Sequence, residues 1–254
     1  MITVFDDAQR AHDPKFFLSS GAPFPCPEQP ARIDVLLAAV RQLGGPVVRA
    51  PDTGLDPIRA VHPERYLTFL QNIYHRWTRI DGASAEVIPN IHPANRSDGY
   101  PKSAVGQAGF HMTDTSCPIS AETWGAAYAS AQTAIHAADL VLAGEAATYA
   151  LCRPPGHHAF AELAGGFCYL NNSGIAAQRL RDAGRKVAIL DVDLHHGNGT
   201  QEIFWSDPNV FYGSTHQMPL YPGSGAASET GVGNIFNAPL QAGNGGVEFF
   251  EPGQ

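Results

Sequence analysis

The sequence feature that most constrains the fold is a short apolar run at residues 187–190, followed at once by a dense polar segment. An uninterrupted apolar run is typical of a parallel strand that is buried on both faces. A second apolar run, at 148–152, is also followed by polar residues. The carboxyl ends of parallel strands share one edge of a sheet, where α/β proteins bind ligands. The sequence therefore predicts an α/β fold whose functional residues follow these two strands.

Helix and strand patterns alternate along the rest of the chain, as expected for a parallel sheet with helices on both faces. The strongest helix signal follows Pro63, where apolar residues from Tyr66 to Trp77 recur at helical spacing. A second helix is predicted to begin at its N-cap Ser120 and to end at Gly144. The remaining predicted helices are 30–43, 173–183 and 200–205, and the predicted strands are 2–5, 47–48, 148–152, 187–190, 210–213 and 234–236.

Periodicity stops between residues 81 and 118, where Gly, Pro, Asn and Ser dominate. A loop of this length inside a compact domain is uncommon and tends to be functional. The alternative is a disordered surface excursion. A length of 254 residues is long for one average domain and short for two. We therefore expect a single domain, 1–254, with a long insertion loop at 81–118.

Composition excludes several classes of function. The 24 acidic and 16 basic residues give a net charge of −8, which argues against nonspecific binding to nucleic acid and is compatible with cationic substrates. The sequence has no apolar stretch of about 18 residues that could span a membrane. Its first residues lack the pattern of a signal peptide, and its four cysteines lack CxxC spacing. We therefore expect a cytoplasmic protein without membrane or nucleic-acid partners.

The polar segment after residues 187–190 contains Asp191, Asp193 and His195. In an extended chain these three side chains would point the same way, because side chains alternate. Two carboxylates and an imidazole on one buried face need a partner, and a divalent cation would satisfy them. Such ligands suit Zn²⁺ or Fe²⁺ better than Mg²⁺. The alternative is a polar surface loop, which fits poorly directly after an apolar strand.

The polar segment after residues 148–152 contains the pair His157 and His158. A neutral imidazole near pH 7 can accept a proton from water and later donate one. A partner must fix its tautomer, and Asp191 and Asn198 are the candidates. A single His-His pair would more often be structural, but a second pair follows the other strand. The two pairs together favour catalysis.

Six segments of the sequence resemble those of a known family. The segments RPPGHH, GGFCYLNN and DVDLHHGNGTQEIFW together resemble the histone deacetylase superfamily, in order and in spacing. The segments PEQPARI, VHPERYLTFL and ISAETWGAAYASAQTAIHAADLVLAG resemble its acetylpolyamine amidohydrolase branch. The resemblance covers essentially the whole chain. The loop at 81–118 also resembles that branch, where such an insertion helps to form a homodimer and narrows the substrate channel.

The resemblance implies catalytic roles for four residues. His157 and His158 match the tandem histidines that act as general base and general acid. Asp191 matches the residue that orients His157, and Asn198 matches the residue that orients His158. Since Asn198 cannot become charged, His158 should hold a proton less tightly than it would beside an aspartate.

The resemblance also implies two metal sites. Asp193 and His195 match two of the three ligands that hold a catalytic Zn²⁺, with Fe²⁺ as the alternative metal. A structural K⁺ site would use Asp191, Asp193, His195 and Ser214 together with the carbonyl of Thr215.

The implied substrate channel is lined by Gly166 and Phe167 on one wall and by Tyr221 on the other. Arg32 matches an arginine of the inner cavity, near the exit for acetate. Acidic residues at the mouth could bind a distant ammonium of the substrate, although such residues are more often ordinary surface charges; the candidates are Asp98, Asp114 and Glu162.

The implied fold is an arginase/deacetylase-like, three-layer α/β fold with a central parallel sheet in the order 2-1-3-8-7-4-5-6. The chain contains segments that match strands one to six and ends at Gln254. Strands seven and eight, the third zinc ligand and a transition-state tyrosine belong to later family segments. We therefore expect a C-terminally truncated domain with unpaired interior edges, which favour aggregation. The full-length form is expected to be a homodimer through the loop at 81–118.

Three functions are compatible with the sequence. The first is zinc-dependent removal of acetyl groups from acetylated polyamines or similar small amines, with release of acetate. The second is the same chemistry on acetyl-lysine in proteins. The third is an inactive, truncated product that keeps only part of the metal site.

Overall fold

The structure is a computed structural model that describes residues 1–93, 96 and 99–246. Its strands are β1 (Ile2–Val4), β2 (Phe16–Ser19), β3 (Ala22–Pro25), β4 (Val47–Val48), β5 (Thr148–Ala150), β6 (Val187–Asp191), β7 (Val210–Gln217) and β8 (Ile235–Leu240). Its α-helices are α1 (Ala31–Gln42), α2 (Asp56–Arg59), α3 (Glu64–Trp77), α4 (Ala104–His111), α5 (Thr123–Leu142), α6 (Asn172–Asp182) and α7 (Asn198–Ile203).

Six of these strands form two parallel, three-stranded sheets. Their orders are β4-β1-β5 and β6-β7-β8, while β2 and β3 form a separate antiparallel hairpin. The two orders correspond to the segments 2-1-3 and 4-5-6 of the predicted sheet. Within the described residues, β5 and β6 do not pair with each other. The prediction of an α/β fold with parallel strands and a gap between these two is confirmed.

Helices cover both faces of the first sheet. On one face α1 contributes Ile33 and Leu37 to a buried cluster with Phe5 and Leu151. On the other face, the alanine-rich α5 packs directly on β1 and β5. Small side chains on α5 permit this close approach, and the result is the expected three-layer arrangement.

The second sheet is covered on one face only. There α6 and α7 enclose a cluster of Ala177, Phe204 and Val210. On the opposite face Leu190 is 73% exposed, and Phe211 and Phe236 are also exposed. The prediction that residues 187–190 are buried on both faces is therefore wrong. Side chains alternate along β6, and within the described residues no element covers its second face.

The largest buried cluster joins α3 to α5. Tyr66, Leu70 and Ile73 of α3 are almost fully buried, and Ile135 of α5 belongs to the same cluster. The helix begins directly after Pro63, as predicted from the apolar stripe. Burial of several such side chains contributes about 1.5–3 kcal/mol each to folding.

Several elements differ from the sequence prediction. The insertion at 81–118 contains α4, whose N-cap Ser103 accepts a hydrogen bond from Gly106 N. Its two internal glycines weakened the helical pattern. The N-cap of α5 is Glu122 rather than Ser120. The hairpin β2–β3 and the single turn α2 were not predicted, because each is too short to show periodicity.

Among the helices of the described residues, none combines the length and the apolar character needed to span a membrane.

Candidate active site

The candidate site lies where the loops after β5 and β6 meet. His157 follows β5, and Asp191 is the last residue of β6. Both line an open cavity of about 240 Å³ between the two sheets, together with Leu190 and Asp193. The parallel strands therefore bring the two polar segments to one edge, as the sequence predicts.

His157 and Asp191 form the first histidine pair of the site. His157 Nδ1 lies 3.0 Å from Asp191 Oδ2, so the ring donates through Nδ1 and its Nε2 faces away from this partner. The Tyr212 hydroxyl also donates to Asp191 Oδ2 at 3.2 Å. Burial favours the protonated carboxyl, but the hydrogen bond and charge of His157 outweigh it and lower the pKa of Asp191. Asp191 is therefore ionised at neutral pH and acts as an acceptor.

His158 and Asn198 form the second pair. His158 Nδ1 lies 2.8 Å from Asn198 Oδ1, and the centres of the two histidine rings are 4.0 Å apart. Burial, followed by the charge of the neighbouring His157, lowers the pKa of His158 to about 4. His158 is therefore neutral at pH 7, with Nδ1 as its donor and Nε2 as its basic nitrogen. The main cause of the shift is burial, and the hydrogen bond with Asn198 acts in the opposite direction.

Asp193 and His195 lie together in the turn after β6. His195 Nδ1 is 3.4 Å from Asp193 Oδ1, and the His195 N–H donates to the same oxygen at 2.8 Å. The Asp193 side chain is 51% exposed. The predicted extended arrangement of residues 191–195 is wrong, because the chain leaves the strand after Asp191 and turns. Within the described ranges, no group of three or more His, Cys, Asp or Glu side chains forms a metal-binding cluster.

The predicted K⁺ ligands lie on two neighbouring strands and in the turn after the first of them. Asp191 of β6 is the register partner of Ser214 of β7. Ser214 Oγ is 2.9 Å from His216 Nδ1, and both residues are buried. The Thr215 Oγ1 atom is buried, and no hydrogen-bond partner is found for it in the described part of the chain. Asp193 and His195 lie two and four residues after Asp191 in the sequence.

The predicted channel residues lie against the second histidine pair. The Tyr221 ring meets the His158 ring edge-on, with centres 5.0 Å apart. Gly166 has a φ of 50°, and a Cβ at this position would lie 2.3 Å from His158 Cδ2. Phe167 follows and packs against Phe17. The Gly166 wall and the Tyr221 wall thus converge on His158.

Arg32 lies apart from the channel walls, whereas one of the proposed mouth residues, Asp114, lies beside them. Arg32 is exposed on α1 and lines a separate cavity of about 30 Å³ beside Arg153. Glu162 pairs with Arg65. Asp114 contacts Tyr221, whereas Asp98 lies outside the described residues.

Two further residues support the first pair and were not anticipated from the sequence. Tyr212 binds Asp191, and it lies two residues before Ser214 on the same face of β7. That spacing was a usable signal, because strand residues two apart share a face. Gly197 packs so closely on the pair that an added Cβ would lie 2.2 Å from Asp191 Oδ2 and 3.1 Å from His157 Nδ1.

Replacing Gly197 by alanine should lower the free energy of unfolding by about 1–3 kcal/mol, because the new methyl group overlaps Asp191 and forces a shift. Urea denaturation measures the change. The matched control is Gly125→Ala in α5, where an added Cβ meets nothing within 4 Å. The control should be neutral or stabilising, since alanine favours helices. Equal stabilities for the two variants would contradict the expected overlap.

Comparisons with known proteins identify the family of this chain. Residues 26–251 match the family model of the histone deacetylase domain. The acetylpolyamine amidohydrolase of Burkholderia pseudomallei is 43% identical, over 99% of this chain and 75% of the relative. Acetylpolyamine amidohydrolase 1 of Pseudomonas aeruginosa is 42% identical, over 96% of this chain and 74% of the relative. A crystal structure of acetylpolyamine aminohydrolase from B. pseudomallei superimposes with a TM-score of 0.94 at 42% identity, covering 99% of this chain and 75% of that one.

The fold, the two histidine pairs and the family match define this chain as a member of the histone deacetylase family, a class of hydrolytic deacetylases. Within that family, it belongs to the acetylpolyamine amidohydrolase branch.

Proposed function

We propose that this protein removes acetyl groups from acetylated polyamines or similar small amines and releases acetate. The observation that carries the proposal is the adjacent arrangement of two oriented histidines, His157 on Asp191 and His158 on Asn198. Relatives named acetylpolyamine amidohydrolase, 42–43% identical over nearly the whole chain, support the substrate class.

Asp193 and His195 are the proposed ligands of a divalent metal. Their oxygen and nitrogen donors lie side by side and are partly exposed, which fits Zn²⁺ or Fe²⁺. Catalytic zinc sites normally have three protein ligands, and the described residues supply two. A bound metal would polarise the acetyl carbonyl and acidify a water. A structural K⁺ is proposed beside it, on Asp191, Asp193, His195, Ser214 and the Thr215 carbonyl.

The two histidines are the proposed proton carriers. In each ring, Nδ1 forms the hydrogen bond with the partner, and Nε2 remains available for proton exchange. His158 is neutral at pH 7, which suits it to accept a proton from the attacking water. A proton must then reach the leaving nitrogen, so that acetate and a free amine result. The adjacent rings, 4.0 Å apart, place both carriers at one reacting centre.

The proposed channel suits a thin, aliphatic substrate. Phe167 and the Tyr221 ring offer apolar walls to a methylene chain, and Gly166 leaves room where any side chain would strike His158. Arg32 is proposed to act at the inner cavity. The segment 81–118, which packs on α3 through α4, is proposed to form a homodimer contact.

The proposed function is tested by acetate release from acetylputrescine in the presence of added Zn²⁺ or Fe²⁺. We expect turnover that disappears in Asp193→Ala together with most of the metal bound at equilibrium. The matched control is Asp139→Ala, which removes only an ion pair with Arg179. Metal content and turnover that are equal in both variants would refute the assignment of Asp193.

Competition between acetylputrescine and an acetyl-lysine peptide separates the first function from protein deacetylation. The approach to His158 between Gly166 and Tyr221 receives the same acetylated four-methylene chain from either substrate. The relatives named acetylpolyamine amidohydrolase are the reason to expect preference for the small amine. Preference for the peptide would reverse the substrate class while leaving the chemistry in place. Absence of both metal binding and turnover would support the inactive alternative.

A further inference from the structure

Asp114 lies between α4 and α5, beside both walls of the channel. Its Oδ2 accepts hydrogen bonds from the Gly166 N–H at 3.1 Å and from the Tyr221 hydroxyl at 2.7 Å. The Ser116 N–H donates to Oδ1 at 2.7 Å, and the Thr113 hydroxyl lies 3.2 Å from Oδ2 and 3.1 Å from the Ala164 carbonyl. Three donors and a shared hydroxyl therefore converge on one carboxylate, which offers about four lone-pair sites. Little acceptor capacity remains for a substrate ammonium.

The two wall residues joined by Asp114 touch the catalytic histidine directly. The Tyr221 ring lies edge-on to His158, at 5.0 Å, and to His195, at 5.9 Å. Gly166 is so close that an added Cβ would lie 2.3 Å from His158 and 2.9 Å from the Tyr221 hydroxyl. A shift of either wall by a few tenths of an ångström would therefore change the space above His158.

We propose that Asp114 is a positioning residue, which ties the Gly166 and Tyr221 walls to one oxygen atom and so sets the channel width above His158. This inference rests on the proposed function for the existence of a substrate, but the contacts themselves do not. Burial and the Asp114 charge both raise the pKa of the Tyr221 phenol, so the phenol stays protonated and remains the donor. A short hydrogen bond from a phenol to a carboxylate belongs to the stronger class of hydrogen bonds.

The first test needs no turnover. In protein labelled with ¹³Cζ-tyrosine, the Tyr221 resonance is assigned by its disappearance in Tyr221→Phe. Asp114→Asn should shift this resonance upfield, because the phenol loses its carboxylate acceptor. The chain offers a matched control in Asp52, which accepts a hydrogen bond from Tyr128. Asp52→Asn should move the Tyr128 resonance and leave that of Tyr221 in place. A Tyr221 resonance that is unchanged in Asp114→Asn would overturn the proposal.

The second test separates positioning from substrate binding. Acetylputrescine carries a distant ammonium, and N-acetylbutylamine does not. Positioning predicts that Asp114→Asn and Tyr221→Phe each lower kcat/KM roughly tenfold for both substrates, with the double variant no worse than the poorer single variant. A loss in Asp114→Asn that is confined to acetylputrescine, with Tyr221→Phe unchanged, would overturn the proposal in favour of an ammonium contact.

Failure of the positioning role can be distinguished from failure of the proposed function. Absence of turnover with either substrate in the unmodified protein would refute the deacetylase activity, while the tyrosine resonance would still decide the role of Asp114. Tyr221→Phe keeps the ring and removes one hydroxyl, so it reports on the wall contact even if Asp114→Asn proves unstable.

Discussion

Replacing Asp191 by asparagine is expected to lower kcat for acetylputrescine by about 10²–10⁴-fold. The carboxylate accepts from His157 Nδ1 and so keeps Nε2 free for the reaction. An amide that turns its nitrogen toward the ring would favour the opposite tautomer, in which Nε2 carries the proton and cannot accept one. Steady-state kinetics over pH 6–9 measure the loss in kcat.

The control for this variant is Asp139→Asn, which changes the same residue type at a surface ion pair with Arg179. It should leave kcat and stability nearly unchanged, because exposed pairs contribute about 0–1 kcal/mol. Tyr212→Phe removes the second donor to Asp191 and should cost less than Asp191→Asn. A kcat for Asp191→Asn within threefold of the unmodified protein would show that Asp191 does not orient His157 for proton exchange.

Acidification from pH 7 to pH 5 is expected to destabilise the protein strongly through buried neutral histidines. Burial lowers the pKa of His12 to about 3, and the pKa values of His62 and His111 to about 4. His62 shows the geometric reason: its Nδ1 faces the Ala161 carbonyl at 2.9 Å, and its Nε2 accepts from Asn171 N at 2.9 Å. A second ring proton would break the bond to Asn171.

The direction of this effect follows from proton linkage. Between pH 6.5 and pH 4 the unfolded chain protonates these imidazoles and the folded chain does not, so acid favours the unfolded state. The stabilisation is present above pH 6.5 and is lost as the pH falls toward the lowered pKa values. Each such imidazole should remove roughly 1–2 kcal/mol of stability at pH 5 relative to pH 7.

Urea denaturation at several pH values measures this loss. His62→Gln should reduce the slope of stability against pH, because it removes one titrating group and keeps both a donor and an acceptor. The exposed His75 of α3 provides the control, and His75→Gln should leave the slope unchanged. Equal slopes for the unmodified protein and His62→Gln would contradict the contribution of His62.

The sequence predicted the order of elements because their signals are local. The apolar stripe of α3 and the short apolar runs of β5 and β6 are visible in any window of the chain. The exposure of Leu190 was not predictable in this way, because it depends on what covers the second face of β6. The turn at Asp193 was missed for a similar reason, since the side-chain alternation holds only while the chain stays extended.

For the candidate site, the sequence motifs located the histidine pairs. The contacts of each nearby carboxylate, however, are visible only in the structure. Asp114 and Glu162 look alike in the sequence as acidic residues near the predicted channel. The structure gives Asp114 two donors from the channel walls, Gly166 and Tyr221, and gives Glu162 an ion pair with Arg65. Such differences arise from contacts between residues more than fifty positions apart, which local patterns do not encode.

Because the two sheets are separate, the histidine pairs also form contacts between the two halves of the protein. Because β5 and β6 share no ladder within the described residues, the two halves are joined by the packing of α6 on α5 and by side chains and loops. His157 contacts Asp191, His158 contacts Asn198, and the Thr200 N–H donates to the His157 carbonyl at 3.0 Å, all between the two halves. Under the proposed function, each proton transfer at these rings would therefore also change a contact between the two halves. Amide exchange at Thr200 would follow the protonation state of the site.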